Sequence, residues 1–294
     1  MPLRAKKPET IEKRLKMMLY GPAGVGKTTA AIQFPSSYII DMEKGCDHYA
    51  STIQGSQSVL FQTTNPDDVK QELKTLLTEK HEFKTLVLDP ITILYGALQE
   101  KWTRLFEQYT NSTKSSDLQD FGPRFWARVK SEYKSIVRML LALDMNVIVV
   151  SHQKDLWGED MKKLGTGPDS MRGDDYIFDY VFQLTKDGTG KRMAVTKKER
   201  AEIGKTKFPE TFAWDYKNFL AFYGQEQLER SATPVQLATA DQVAALTHLL
   251  SVVKVDDDFQ EKAFTKYDVD SWDELTQEQI QKAIDYLNKK LTAK

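Results

Sequence analysis

The sequence predicts an α/β protein built on a largely parallel central sheet, followed by a small all-α module. Three observations carry that prediction. Over the first 230 of the 294 residues, short β-branched runs alternate with helical stretches, the pattern of repeated βαβ units. One apolar run leads directly into a glycine-rich loop and a helix. After Gly224 the strand signal stops and only helix starts remain.

Candidate strands fall at residues 15–20, 38–41, 59–62, 85–89 and 146–151. Helices are expected between them at residues 28–34, stopped by Pro35, at 126–143, and at 66–78, where Val69, Leu73, Leu76 and Leu77 recur at helical spacing. Later strands at 180–184, 192–196, 211–214 and 219–222 lie too close together for helical crossovers. They read as antiparallel hairpins at one edge, with Asp187-Gly188 marking a turn. Residues 225–239 are polar, contain Pro234, and read as a linker. Beyond it, Thr239 with Gln242 and Thr276 with Gln279 fit capping boxes, and Leu275 can staple against Ile280. Ile280, Ala283, Ile284, Leu287 and Leu291 then form one apolar stripe. The expected organisation is a basic arm at 1–14, a core at 15–224, a linker at 225–238 and a helical module at 239–294.

The 41 Lys and Arg against 42 Asp and Glu give a formal charge of −1, which excludes a uniformly polycationic coat for duplex DNA. That neutrality is a cancellation. Residues 1–17 carry +4, residues 232–294 carry −4, and residues 191–207 hold seven Lys or Arg against two acids. The lone Cys46 cannot form an internal disulfide, and no Cys/His cluster has zinc-site spacing, as expected in a reducing compartment. The apolar runs at 139–143 and 147–150 fall far short of the roughly 18 residues of a membrane helix. A cytoplasmic protein with no membrane partner is expected.

Gly21-Pro22-Ala23-Gly24-Val25-Gly26-Lys27-Thr28 satisfies GxxxxGK[ST] between an expected strand and an expected helix, the context that gives the motif its meaning. The glycines let successive N–H groups face phosphates at a helix N-terminus. Lys27 is then placed to neutralise β and γ phosphates, and the Thr28 hydroxyl, with Thr29 beside it, to meet Mg²⁺ and nucleotide. Leu86-Val87-Leu88-Asp89 is an apolar strand ending in an acid, the second metal-side group such a site needs. Proline follows Asp89, so a water-activating base must come from elsewhere. Glu43, just past strand 38–41, is the candidate; Asp41 competes with it, and an ordinary solvated turn is the third reading. His152, after the strand at 146–151, is placed to touch a γ-phosphate or simply to be hydrogen-bonded at a strand end.

With these motifs in place, the chain resembles the RecA-like P-loop ATPases of bacteriophages, in particular the compact core-only Sak type associated with single-strand annealing and recombination. The resemblance spans about residues 12–222 and rests on LYGPAGVGKTT, YIIDMEKG, TLVLDPITILY, VIVVSHQK and MAVTKKER in that order. It implies a RecA-like P-loop NTPase fold, ATP and Mg²⁺ as cofactors, Glu43 as catalytic glutamate and His152 as sensor. It also implies that Lys198 and Arg200 reach the nucleotide of a neighbouring copy, so the chain is its own partner. The chain departs from full RecA proteins in carrying a short basic arm where they have a separate domain, and in the short spacing from Lys27 to Glu43.

Two segments are candidates for single-stranded DNA. Residues 99–138 interleave eight Lys or Arg, Arg124 and Arg128 among them, with Trp102, Phe106, Tyr109, Phe121, Phe125 and Trp126, pairing backbone cations with stacking faces. Residues 154–175 carry Lys154, Trp157, Lys162, Lys163 and Arg172 in a glycine-rich stretch. The aromatics at 121–126 could equally pack a helix onto the sheet, and the second stretch also contains acids. The acidic module suits protein docking, with a recombination or replication protein of phage or host as the partner it would take. The expected function is Mg²⁺-dependent ATP hydrolysis coupled to single-strand annealing or strand exchange by an oligomer. A nucleotide-gated docking protein with little turnover, or a motor acting on duplex DNA or protein, are the competing expectations.

Overall fold

The computed structural model describes residues 14–112, 121–158, 160–200, 204–253, 255–256, 258–267 and 269–292. Of the expected basic arm only Arg14 falls within them. In chain order the elements begin with β1 (Lys16–Tyr20), α1 (Lys27–Ala31), β2 (Ser37–Asp41), α2 (Ala50–Gly55), β3 (Val59–Gln62), α3 (Pro66–Thr78) and β4 (Thr85–Asp89). Next come α4 (Ile91–Ser112), α5 (Phe121–Ala142), β5 (Asn146–Ser151), β6 (Gln153–Trp157), β7 (Lys163–Pro168), α6 (Asp174–Ile177), β8 (Tyr180–Lys186) and β9 (Arg192–Glu199). The chain ends in β10 (Thr211–Ala213), α7 (Tyr216–Tyr223), α8 (Gln225–Glu229), α9 (Ala240–Val252), α10 (Phe259–Tyr267) and α11 (Gln277–Thr292).

Two compact units result. Among the described residues, the first comprises those within 14–62, 82–92 and 145–231 and contains an eight-stranded sheet in the order β10-β9-β8-β1-β5-β4-β2-β3. Its six strands from β8 to β3 are parallel, and β9 and β10 run antiparallel at one edge. Every residue of β1, β4 and β5 is buried, as expected of interior strands in a parallel sheet. Because the chain leaves β1 toward β2 while β5 and β4 lie between them, the carboxyl ends of β1, β4, β5 and β2 bound one crevice, the place where open α/β sheets take ligands.

The later strands form the expected edge hairpin, with β8 and β9 joined across a turn in which Asp187 Oδ1 accepts from the Thr189 and Lys191 N–H groups at 2.9 Å each. Residues 219–222, expected as a strand, are instead the heart of helix α7. Asp215 caps that helix by accepting from the Asn218 N–H at 2.7 Å, and Gly224, at φ 99°, ends it. Phe219 and Tyr223, four residues apart, are fully buried in an aromatic cluster with Phe34, Phe182, Phe208 and Trp214. The short apolar run Phe219-Leu220-Ala221-Phe222 is part of a helix whose buried face is Phe219 and Tyr223. In the segment read as a linker, residues 225–229 are helical and Leu228 is buried.

The second unit comprises residues 63–81, 93–144 and 232–294. Helix α3 begins where Asn65 accepts from the Asp67 N–H at 3.1 Å with Pro66 in the first turn, and its expected stripe Val69, Leu73, Leu76 and Leu77 is buried. Both capping boxes form: Thr239 with Gln242, and Thr276 with Gln279 at 2.9 and 3.2 Å. Leu246, Leu249, Val253, Leu275, Ile280, Ile284 and Leu287 make the core they frame.

Candidate functional site

Strand β1 ends at Tyr20 and the chain turns sharply, because Gly21 passes so close to β8 that a Cβ there would lie 2.4 Å from the Leu184 carbonyl oxygen. Gly24 and Gly26 take φ of 70° and 88°, conformations that glycine adopts without penalty. The loop so curled delivers Lys27 to the start of α1. The Lys27 ammonium donates to the Gly21 and Pro22 carbonyls, both at 3.0 Å. Burial lowers its pKa, opposed by the negative charges of Asp89 and Glu43.

The Thr28 hydroxyl is hydrogen-bonded to Asp89 at the end of β4. Asp89 is nearly buried, and desolvation pushes its carboxyl up to about 6 against the opposing Thr28 hydrogen bond, with Asp41 and Glu43 adding repulsion. A hydroxyl and a carboxylate paired at the foot of a glycine loop are hard oxygen donors of the kind Mg²⁺ prefers. Among the described residues no group of three or more His, Cys, Asp or Glu side chains could hold a metal ion. A cation here would fill the rest of its shell with water or phosphate oxygens, and the donor set fits a Mg²⁺–nucleotide complex.

Across the loop, a cleft of about 500 Å³ is lined by Gly21, Pro22, Ala23, Gly24, Gly26 and Lys27 to Thr29 on one side. Glu43, Gly45, Tyr49, Asp89, His152 and Gln153 complete it. Glu43 Oε1 lies 2.7 Å from His152 Nε2. The two side chains come from different strand ends: Glu43 follows β2 and His152 follows β5. His152 is fixed through its backbone, whose N–H donates to the Thr92 hydroxyl at 3.0 Å while Thr92 donates to the Asp169 carbonyl at 2.7 Å.

Asp41, the competing carboxylate, is 1% exposed and has another task. It accepts from the Glu43, Gly45 and Cys46 N–H groups at 3.1, 3.2 and 2.9 Å and from the Gln62 amide at 3.1 Å. This holds the turn in which Lys44 takes the left-handed φ of 58°, a conformation that costs a non-glycine residue about 1 kcal/mol. Asp41 does not line the cleft; Glu43 does. Tyr49, which sequence reasoning did not single out, enters from the turn after Glu43, its hydroxyl 3.4 Å from the Thr29 hydroxyl.

Lys198 and Arg200 are not brought to this cleft. Strand β9 starts beside the loop at Arg192 and runs antiparallel to β8, so Lys198 pairs with Val181, near the amino end of that strand. There the Lys198 ammonium donates to the Asp175 and Tyr176 carbonyls at 3.0 and 2.6 Å, and Arg200 pairs with Asp179 at 3.0 Å. Of the candidate DNA residues, Arg124 and Arg128 are exposed on α5 near the exposed Trp126; the Phe121 side chain lies outside the described residues. The glycine-rich stretch is a two-stranded ribbon of β6 and β7. Its lysines are paired locally: Lys154 with Asp169 at 3.4 Å, Lys162 with Asp160 at 2.8 Å and Lys163 with Asp155 at 2.8 Å. Leu156, Trp157, Met161 and Leu164 are exposed on it, and Arg172 is exposed beyond it.

A parallel sheet whose central strand feeds a glycine loop, with lysine, threonine and a strand-end carboxylate converging on it, defines a P-loop NTPase. Residues 13–208 match the family model of an AAA domain, AAA_24, and the chain belongs to that family of P-loop ATPases. The search of curated proteins finds no match. No helix among the described residues is long and apolar enough to cross a membrane.

Proposed function

We propose that the chain is a Mg²⁺-dependent ATPase of the phage Sak type, acting in the host cytoplasm as an oligomer on single-stranded DNA during annealing or strand exchange. The observation that carries the hydrolytic part is the Glu43–His152 pair, set across the cleft from Lys27. In this reading Lys27 neutralises the transferring phosphoryl group, and Thr28 and Asp89 hold Mg²⁺, which shields the phosphate charge when bound. Glu43 orients the attacking water and accepts its proton, and His152 senses the state of the γ-phosphate through its bond to Glu43. Lys198 and Arg200 act on a neighbouring copy's nucleotide. That assignment is supported by their lying, within one chain, at the sheet edge away from their own loop.

Two separate candidates for contact with single-stranded DNA are Arg124 and Arg128 on α5, and the ribbon bearing Lys154, Lys162 and Lys163 with Arg172 beyond it. The ribbon follows directly on His152, which supports a link between strand binding and the cleft. The working parts in this reading are the arm at 1–14, the ATPase core at 15–224, the linker at 225–238 and the acidic module at 239–294, which docks a recombination or replication partner. ATP turnover measured alone, with single-stranded and with duplex oligonucleotide decides the matter. Stimulation by the single strand is expected. Tight ATP binding with negligible turnover would replace this reading with a nucleotide-gated docking protein, and stimulation by duplex alone with a motor.

A further inference from the structure

We propose that Arg192 is a positioning residue of the nucleotide site, one that orients and polarises the Val25–Gly26 peptide of the phosphate-binding loop. The inference rests on that loop being the nucleotide site. Arg192 is the first residue of β9, 167 positions from the loop in sequence, and its Nε donates to the Val25 carbonyl at 3.1 Å. Its guanidinium occupies the space a side chain on Gly26 would need: a Cβ there would lie 2.2 Å from Nη2 and 2.8 Å from Cζ. Glycine at this position therefore serves two ends, the left-handed turn and the admission of the arginine.

The placement of Arg192 is itself held. Its carbonyl accepts from the Trp214 N–H at 2.9 Å, and the turn before it is closed by the Asp187 N–H donating to the Lys191 carbonyl at 3.0 Å. Among the described residues no acidic side chain pairs with Arg192, although it is half-buried, and burial lowers its pKa. A half-buried cation without a carboxylate, bonded to the backbone of a loop that cradles anions, has its electrostatic counterpart in the phosphates. A charged donor on the Val25 carbonyl also draws electron density through the peptide and strengthens the Gly26 N–H as a donor to them. Arg192 does not line the cleft, so its effect passes through the loop.

The test separates charge from simple bracing. Arg192→Lys keeps the charge and loses the fork; Arg192→Gln keeps an N–H donor and loses the charge. Fluorescent ATP and ADP analogues titrated in Mg²⁺ buffer should bind Arg192→Gln about 10- to 100-fold more weakly than wild type, and Arg192→Lys within about 3-fold. Turnover at saturating ATP should change by less than about 3-fold in Arg192→Gln, a KM effect without a kcat effect. Equal affinity of Arg192→Gln and wild type, or equal losses in the Lys, Gln and Ala variants, would overturn the role. A wild-type chain that binds neither analogue removes the site and Arg192 with it, whereas wild-type binding lost in Lys27→Ala and kept in Arg192→Gln removes Arg192 alone.

Discussion

Glu43 Oε1 and His152 Nε2 meet at 2.7 Å although 109 positions separate them in sequence and one strand, β4, lies between β2 and β5 in the sheet. Each side chain is about two-fifths exposed, at 40% and 38%, so the pair is open to the cleft rather than locked in the core.

If Glu43 activates water, Glu43→Gln should retain ATP affinity and lose turnover by a factor on the order of 10² to 10⁴. His152→Ala should bind ATP normally and lose stimulation by single-stranded DNA. Unimpaired turnover in Glu43→Gln would remove the glutamate from the reaction.

Asp89 gives a pH signature. Its carboxyl titrates near 6 in the folded chain against 3.8 ordinarily, so the folded state holds that proton more tightly than the unfolded one. The stabilisation is complete below about pH 4 and is lost as pH rises through about 6. Without Mg²⁺ or nucleotide, Asp89→Asn, which cannot ionise, should therefore melt above wild type at pH 8, with the gap closing toward pH 4. At pH 8 it should also lose Mg²⁺-dependent nucleotide binding. A melting difference independent of pH would contradict the burial argument.

Arg200→Ala should bind ATP but lose turnover per subunit, and wild-type specific activity should climb with protein concentration. Because Asp179 is nearly buried and pairs with Arg200, the variant should also lose about 1–3 kcal/mol of stability; denaturant midpoints separate this from the kinetic effect. Wild-type turnover in Arg200→Ala ends the proposed action between copies.

On the β6–β7 ribbon, local ion pairs hold Lys154, Lys162 and Lys163 while Trp157 stands 59% exposed. Trp157→Ala should weaken oligonucleotide binding by about 1–3 kcal/mol through lost stacking. Lys162→Ala should change affinity less and flatten the salt dependence only slightly. A steep salt slope abolished by Lys162→Ala would reverse that ranking.

The phosphate loop, Asp89 and Glu43 were legible in sequence because each is a local pattern: glycine spacing, an apolar run ending in an acid, a carboxylate just past a strand. Helix α7 was not, because a two-turn helix with four aromatics mimics a short strand until its Asp215 cap and Gly224 stop are weighed together. Arg192 and Tyr49 were illegible for a different reason. Their approach to the loop depends on which strand lies beside β8 and on how a turn folds back, and no periodicity encodes either. Asp41 was visible as an acid at the right place, but its use as a hydrogen-bond hub appears only when the Glu43, Gly45 and Cys46 N–H groups are seen to point at it.

That hub has an entropic consequence. With the backbone on both sides of Lys44 tied to one buried carboxylate, the freedom of the segment bearing Glu43 is surrendered when the chain folds. A loop residue left to order at each encounter would give up about 1–2 kcal/mol every time. Glu43 instead waits in place, and the rate of any step it serves is not slowed by a search for its own conformation.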